Sequence, residues 1–170
     1  NSKVIHLPED TTNETVARMI NKLNLDDSIT GILLQLPLPK TLNEEYLTSL
    51  IFRNKDVDGF TERNAGRLML GQKGIVPCTP SGIIEMLKYY NVSLEGKDVL
   101  IINRSNIVGK PLAMLMLQEN ATVTIAHSKT KDLKDKIKRA DIIVTAVGKA
   151  NFLNANVFRK GQTVIDVSIN

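Results

Sequence analysis

The run Val99-Leu100-Ile101-Ile102-Asn103-Arg104-Ser105-Asn106-Ile107-Val108-Gly109-Lys110-Pro111, with Leu112-Ala113-Met114-Leu115-Met116-Leu117 directly after it, opens with four consecutive β-favouring apolar residues. A strand with no polar face is buried on both sides, as central strands of parallel sheets are. Apolar residues at helical spacing follow from about Gly109, and Pro111 suits a first turn, where its missing N–H has no intrahelical partner. Strand, tight turn and helix come in that order. The helix then points its N–H groups and positive dipole end at the turn, which makes the turn a candidate anion site. Against the dinucleotide pattern G-x-G-x-x-G, the glycine positions hold Asn103, Ser105 and, one residue late, Gly109. A plain strand–helix unit without a ligand fits this stretch as well.

The next strand, Ala121-Thr122-Val123-Thr124-Ile125-Ala126, ends in His127-Ser128-Lys129-Thr130. An NAD site would place an acid here, about 20 residues past the turn, to accept from the ribose hydroxyls. No acid is present. Ser128, His127, Lys129 and the nearby Arg104 instead offer donors to a 2′-phosphate, so NADP is expected over NAD. An ordinary polar strand end is the competing reading.

Composition bounds the rest. The 170 residues are 42% hydrophobic and 24% charged, with one cysteine and a net charge of +4. That is an ordinary globular balance. No apolar run reaches the roughly 18 residues of a membrane span, and there is no signal-peptide pattern. A single cysteine excludes an internal disulfide framework, and a cytoplasmic, reducing setting is expected. Residues 1–79 hold nine Lys/Arg against ten Asp/Glu, whereas residues 80–170 hold thirteen against eight. With aromatics at 4%, a basic half of this kind suits a phosphorylated small molecule and not nucleic acid. Lys131, Lys134, Lys136 and Lys138 alternate with Leu133 and Ile137, as on the solvated face of an amphipathic helix. His6 and His127 lack partner ligands at metal-site spacing, so no metal is expected.

In chain order, Lys3–Leu7 reads as a short strand, Thr11 or Thr12 starts a helix reaching about Asn24, and Gly31–Leu36 reads as a buried strand ended by Pro37. Asn43 caps a helix through Ile51, and a loop is expected from Arg53 to about Pro80. Thr79 is expected to cap the helix after it, with Cys78 packed as an inert thiol. Further strands are expected at Ala140–Gly148 and Gln162–Val167, with a short helix capped by Asn154 between them. The pattern predicts an α/β chain: a smaller α/β unit at residues 1–79, then a Rossmann-like NADP-binding domain with a parallel sheet at 80–170. Gln35 and Asp58 both fall where a parallel sheet presents its strand ends. Together they offer an amide and a carboxylate for the donor and acceptor edge of a heterocycle, although Asp58 also reads as a plain turn residue and Gln35, before Pro37, as a side chain bonded to backbone.

Six blocks then carry a resemblance: Gly31–Pro39 (GILLQLPLP), Lys55–Phe60 (KDVDGF), Pro77–Pro80 (PCTP), Arg104–Pro111 (RSNIVGKP), Ala121–Thr124 with His127-Ser128, and Asp166–Asn170 (DVSIN). In this order they resemble the bifunctional methylenetetrahydrofolate dehydrogenase/methenyltetrahydrofolate cyclohydrolase family. The resemblance implies NADP-dependent oxidation of 5,10-methylenetetrahydrofolate to the methenyl form, hydrolysis to 10-formyltetrahydrofolate, and a homodimer. It implies that residues 1–79 are an N-terminal α/β catalytic domain, with Gln35 and Asp58 in the folate site, Asp58 holding the pterin. Asn103, Arg104 and Ser105 would meet the cofactor phosphates, Ser128 and Arg104 the 2′-phosphate, and Ile169 the nicotinamide side.

Family members usually carry Gly at 103, Cys at 126 and Gly at 168, where this chain has Asn, Ala and Ser. Their Tyr-x-x-x-Lys motif is absent here, so the 170 residues alone are expected to catalyse poorly or not at all. A non-catalytic NADP-binding relative and an NADP oxidoreductase of the shikimate dehydrogenase type are the alternatives.

Overall fold

The computed structural model describes residues 2–167; Ile169 lies outside them. The C-terminal half is built on four parallel strands, β1 (Asp98–Ile102), β2 (Thr122–Ala126), β3 (Ile142–Thr145) and β4 (Thr163–Asp166), in the order β2-β1-β3-β4. The chain leaves β1 through helix α5 (Gly109–Gln118) to β2, then crosses back through α6 (Leu133–Arg139) to β3 on the other side of β1. This reversal makes the sheet doubly wound, with a crevice beyond the ends of β1 and β3.

The all-apolar reading of β1 holds, and the register explains it. Val99 and Ile101 join a core with Ile83, Ile84 and Leu87 of α4 (Cys78–Tyr89) and with Leu112, Ala113 and Met116 of α5. Leu100 and Ile102 face the opposite core, with Ile137 and Ala140 at α6, Ile143 of β3 and Val157. Successive side chains of one strand thus serve two layers. Ile137 is fully buried in α6 while its lysines stay exposed, as the spacing predicts.

The N-terminal half is helical. Thr12 caps α1 (Asn13–Leu25) by accepting from the Thr15 N–H, and Asn43 caps α2 (Glu44–Ser49) by accepting from the Tyr46 N–H. Val16, Ala17 and Ile20 of α1 meet Ile32, Leu47 and Ile51 in a third core. Six expectations need correction. Asn154 precedes the single turn Ala155–Val157 without capping it through its side chain. Residues 3–7 form no strand, and nothing among the described residues pairs with them as a ladder. Gly31–Leu36 is not a full strand: it makes one parallel bridge, Ile32 to Asp56, and leaves Leu33 exposed. The expected loop from Arg53 contains a helix, α3 (Glu62–Met69), capped by Thr61. Its apolar stripe is almost only Leu68, too thin for periodicity to reveal. Helix α4 starts at Cys78, so Thr79 lies inside it and is not the cap. Cys78 itself is exposed and not packed.

Candidate functional site

The turn after β1 folds around the side chain of Asn103. Its Oδ1 accepts from the Ser105 N–H at 2.7 Å and the Gly109 N–H at 3.0 Å, and its Nδ2 donates to the Ala146 carbonyl at 2.6 Å. One side chain therefore joins the β1 turn, the start of α5 and the end of β3 across the crevice. The Val108 N–H donates to Ser105 Oγ at 3.1 Å, and the Lys110 N–H to the Ser105 carbonyl at 3.0 Å. The donors at the start of α5 thus have partners inside the protein, so the helix end does not present the free N–H cluster that the sequence suggests. Arg104 stands exposed at the outer side of this turn, and Lys110 Nζ donates to Asn106 Oδ1 at 2.6 Å.

Register brings the β2 tip alongside. Ile102 pairs with Ala126, so Arg104 and Ser128 each lie two residues beyond paired positions on adjacent strands. The tip is shaped by the His127 N–H donating to Thr130 Oγ1 at 2.8 Å and the Lys129 N–H donating to His127 Nδ1 at 3.2 Å. Ser128 is exposed between them. A guanidinium and a hydroxyl on neighbouring strand ends, with no acid at the tip, fit a phosphate monoester.

On the other half, the Ile32 N–H donates to the Lys55 carbonyl at 2.7 Å, and the parallel bridge sends Gln35 and Asp58 onward in the same direction. Gln35 is exposed, and its Nε2 donates to the Leu36 carbonyl at 3.0 Å, the local bond that the plain reading of this residue foresees. Asp58 is half-buried. Burial first, and then the negative charge of Asp56, push its carboxyl above the ordinary range for an aspartate.

Sequence reasoning missed Asp56, which is 2% exposed. Its Oδ1 accepts from the N–H groups of Gly59 and Phe60 at 2.9 and 3.2 Å. Its Oδ2 accepts from the Thr61 N–H at 2.9 Å, Thr61 Oγ1 at 2.7 Å and Asn64 Nδ2 at 2.8 Å. Burial works against its charge, but the bonds from Asn64, Thr61 and Phe60 outweigh it and hold the carboxyl below the usual range. The Thr61-x-x-Asn64 spacing, a cap signature, was the available signal. Lys55 beside it is also buried, and its Nζ donates to the carbonyls of Leu23 and Asp26 at 2.9 and 2.7 Å.

Between the two halves lies a cleft of about 720 Å³. Leu36, Gly59 and Phe60 contribute to one wall and Asn106, Ile107, Lys110 and Ile125 to the other. Gln35, Asp58, Ser105 and Ser128 do not line it themselves, but sequence neighbours of the first three do. No helix among the described residues is long and apolar enough to cross a membrane, and no group of His, Cys, Asp or Glu among them could hold a metal ion.

Known proteins resemble this chain over nearly its whole length. Residues 77–170 match the family described as tetrahydrofolate dehydrogenase/cyclohydrolase, NAD(P)-binding domain, and residues 1–58 match its catalytic domain. The bifunctional protein FolD of Agathobacter rectalis is 50% identical over 163 residues, which is 96% of this chain and 58% of that protein. The crystal structure of the bifunctional FolD enzyme from Campylobacter jejuni superposes with a TM-score of 0.95 at 46% identity, over 97% of this chain and 59% of that one. The Trypanosoma brucei enzyme, solved with NADP cofactor and an inhibitor, gives 0.90 at 36% identity, over 95% and 56%. The chain thus spans somewhat under three fifths of the length of these relatives. On the family match over both halves, the chain belongs to the tetrahydrofolate dehydrogenase/cyclohydrolase family.

Proposed function

We propose that the protein to which this chain belongs oxidises 5,10-methylenetetrahydrofolate to the methenyl form with NADP, and hydrolyses that product to 10-formyltetrahydrofolate. The observation that carries this is the parallel bridge of Ile32 with Asp56, which holds the segments carrying Gln35 and Asp58 side by side. Across the cleft stands the turn after β1.

In this reading residues 1–79 are part of the folate-binding unit and residues 80–170 the cofactor unit. Asp58 holds the pterin ring, its carboxyl accepting from the ring's N–H groups. Gln35 supplies an amide beside it. The turn Asn103–Arg104–Ser105 faces the cofactor phosphates, and Arg104 and Ser128 take the 2′-phosphate. NADP, when bound, accepts the hydride; the carbon left behind, flanked by two nitrogens, is an electrophile that water attacks. The same reading places the protein in the cytoplasm as a homodimer, in one-carbon metabolism including purine biosynthesis, without nucleic-acid or membrane partners.

The test is turnover by the full-length protein. NADPH should form from NADP only when 5,10-methylenetetrahydrofolate is present, and 10-formyltetrahydrofolate should accumulate. NADP binding with no NADPH formed would overturn the reading.

A further inference from the structure

The folate-site reading uses Asp58 but leaves unexplained the buried carboxylate two residues before it. Asp56 accepts five hydrogen bonds, and every donor lies after Asp58 in the chain. Its own backbone is held from the other side by the bridge to Ile32. Val57 and Asp58 are therefore the two residues between a fixed strand position and a fixed turn. The turn has no slack either. Gly59 has a φ of +69°, and a Cβ on it would stand 2.7 Å from the Ile75 carbonyl oxygen, while Val57 packs against Gly31. A five-residue span closed by its own first side chain has one backbone conformation, and that conformation sets where the Asp58 carboxyl points.

No cation meets Asp56 among the bonds described; its lysine neighbour Lys55 is turned away, onto the end of α1. Only a carboxylate matches this set of donors, because an amide offers one acceptor oxygen and an apolar side chain none. A full carboxylate held by five donors gives a directional, rigid cradle.

We propose that Asp56, through Thr61 and Asn64, is a positioning residue for the folate reaction: it orders the Val57–Gly59 turn so that Asp58 meets the substrate in one geometry. This rests on the assignment of Asp58 to the folate site. Thr61 Oγ1 donates to Asp56 Oδ2 at 2.7 Å and also caps α3, so the two roles are separated by the readout: a lost cap lowers stability, whereas a displaced turn changes the KM for folate alone.

The experiment compares full-length wild type with Thr61→Val, Thr61→Ser and Asp56→Asn, with Asp58→Asn as reference, reading kcat and KM for each substrate. Misplacement of a binding group by a fraction of an ångström is felt strongly. Thr61→Val should raise KM for methylenetetrahydrofolate about tenfold and leave KM for NADP unchanged, and Thr61→Ser should restore it. Asp56→Asn, where it folds, should act in the same direction and further. If Asp58→Asn impairs the folate KM while Thr61→Val lowers only thermal stability, or moves both KM values together, the positioning role is wrong and the folate reading stands. If Asp58→Asn itself leaves the folate KM unchanged, the folate reading fails and the positioning role with it.

Discussion

Asn103 Oδ1 accepts from the backbone N–H of Gly109 at 3.0 Å, while the Asn103 carbonyl oxygen occupies the space that a Cβ at Gly109 would need. The two residues lock the turn that faces the proposed cofactor site. Gly109→Ala forces the turn off α5 and breaks the bond, so a stability loss of about 3 kcal/mol is expected. Denaturant unfolding measures it. NADP affinity should fall together with it, because the same displacement moves Arg104 and Ser105.

Arg104 and Ser128 stand at matched positions beyond β1 and β2. An exposed guanidinium on a phosphate monoester favours NADP over NAD by charge-assisted bonds that salt weakens. Arg104→Ala should narrow the NADP-to-NAD affinity ratio by about tenfold, near 1.4 kcal/mol, with little change in NAD affinity. Titration of both nucleotides at two salt concentrations checks this. An unchanged ratio contradicts the account of cofactor choice.

The neighbouring carboxyls predict opposite pH behaviour. Asp58 is raised in the folded protein, so it binds its proton more tightly there than when unfolded. Stability then falls as pH rises from the ordinary value of 3.8 through the folded one, and the loss persists at neutral pH. Asp58→Asn should therefore stabilise at pH 7, with the gain vanishing in acid. Asp56 is lowered, so its contribution is full above 3.8 and is lost as pH falls through its folded value. Asp56→Asn should destabilise at pH 7, and the difference should shrink at low pH. Thermal melts across pH 3–7 separate the two signs.

Lys55 closes the end of α1 by donating to Leu23 and Asp26 carbonyls from a buried position. Lys55→Met keeps the stem and removes the donors, leaving those carbonyls without this partner. A loss of about 1–3 kcal/mol is expected, with α1 the first element to gain amide exchange.

The C-terminal half was readable because its rules are local: an apolar run makes a buried strand, and the helical spacing of Leu112 and Met116 makes the face that covers it. The absence of an acid after β2, on which the proposed NADP preference rests, was readable directly. Helix α3 was not, since one buried leucine gives no period. Gly31–Leu36 has the composition of a full strand but makes a single bridge among the described residues, because pairing depends on neighbours that composition does not specify. Asp56 escaped notice for a related reason. Its importance lies in five donors brought to it by the fold, and in sequence it is one more acid beside a glycine turn.

Hydride transfer from the folate carbon is the central claim, and isotope transfer tests it most directly. The full-length protein is given NADP and 5,10-methylenetetrahydrofolate carrying deuterium on its methylene carbon, and the nucleotide product is weighed by mass spectrometry. The account predicts NADPH containing one deuterium when the methylene carbon carries two, with Asp58→Asn forming the same labelled product more slowly. Unlabelled NADPH, or no NADPH from a protein that binds both molecules, would contradict it.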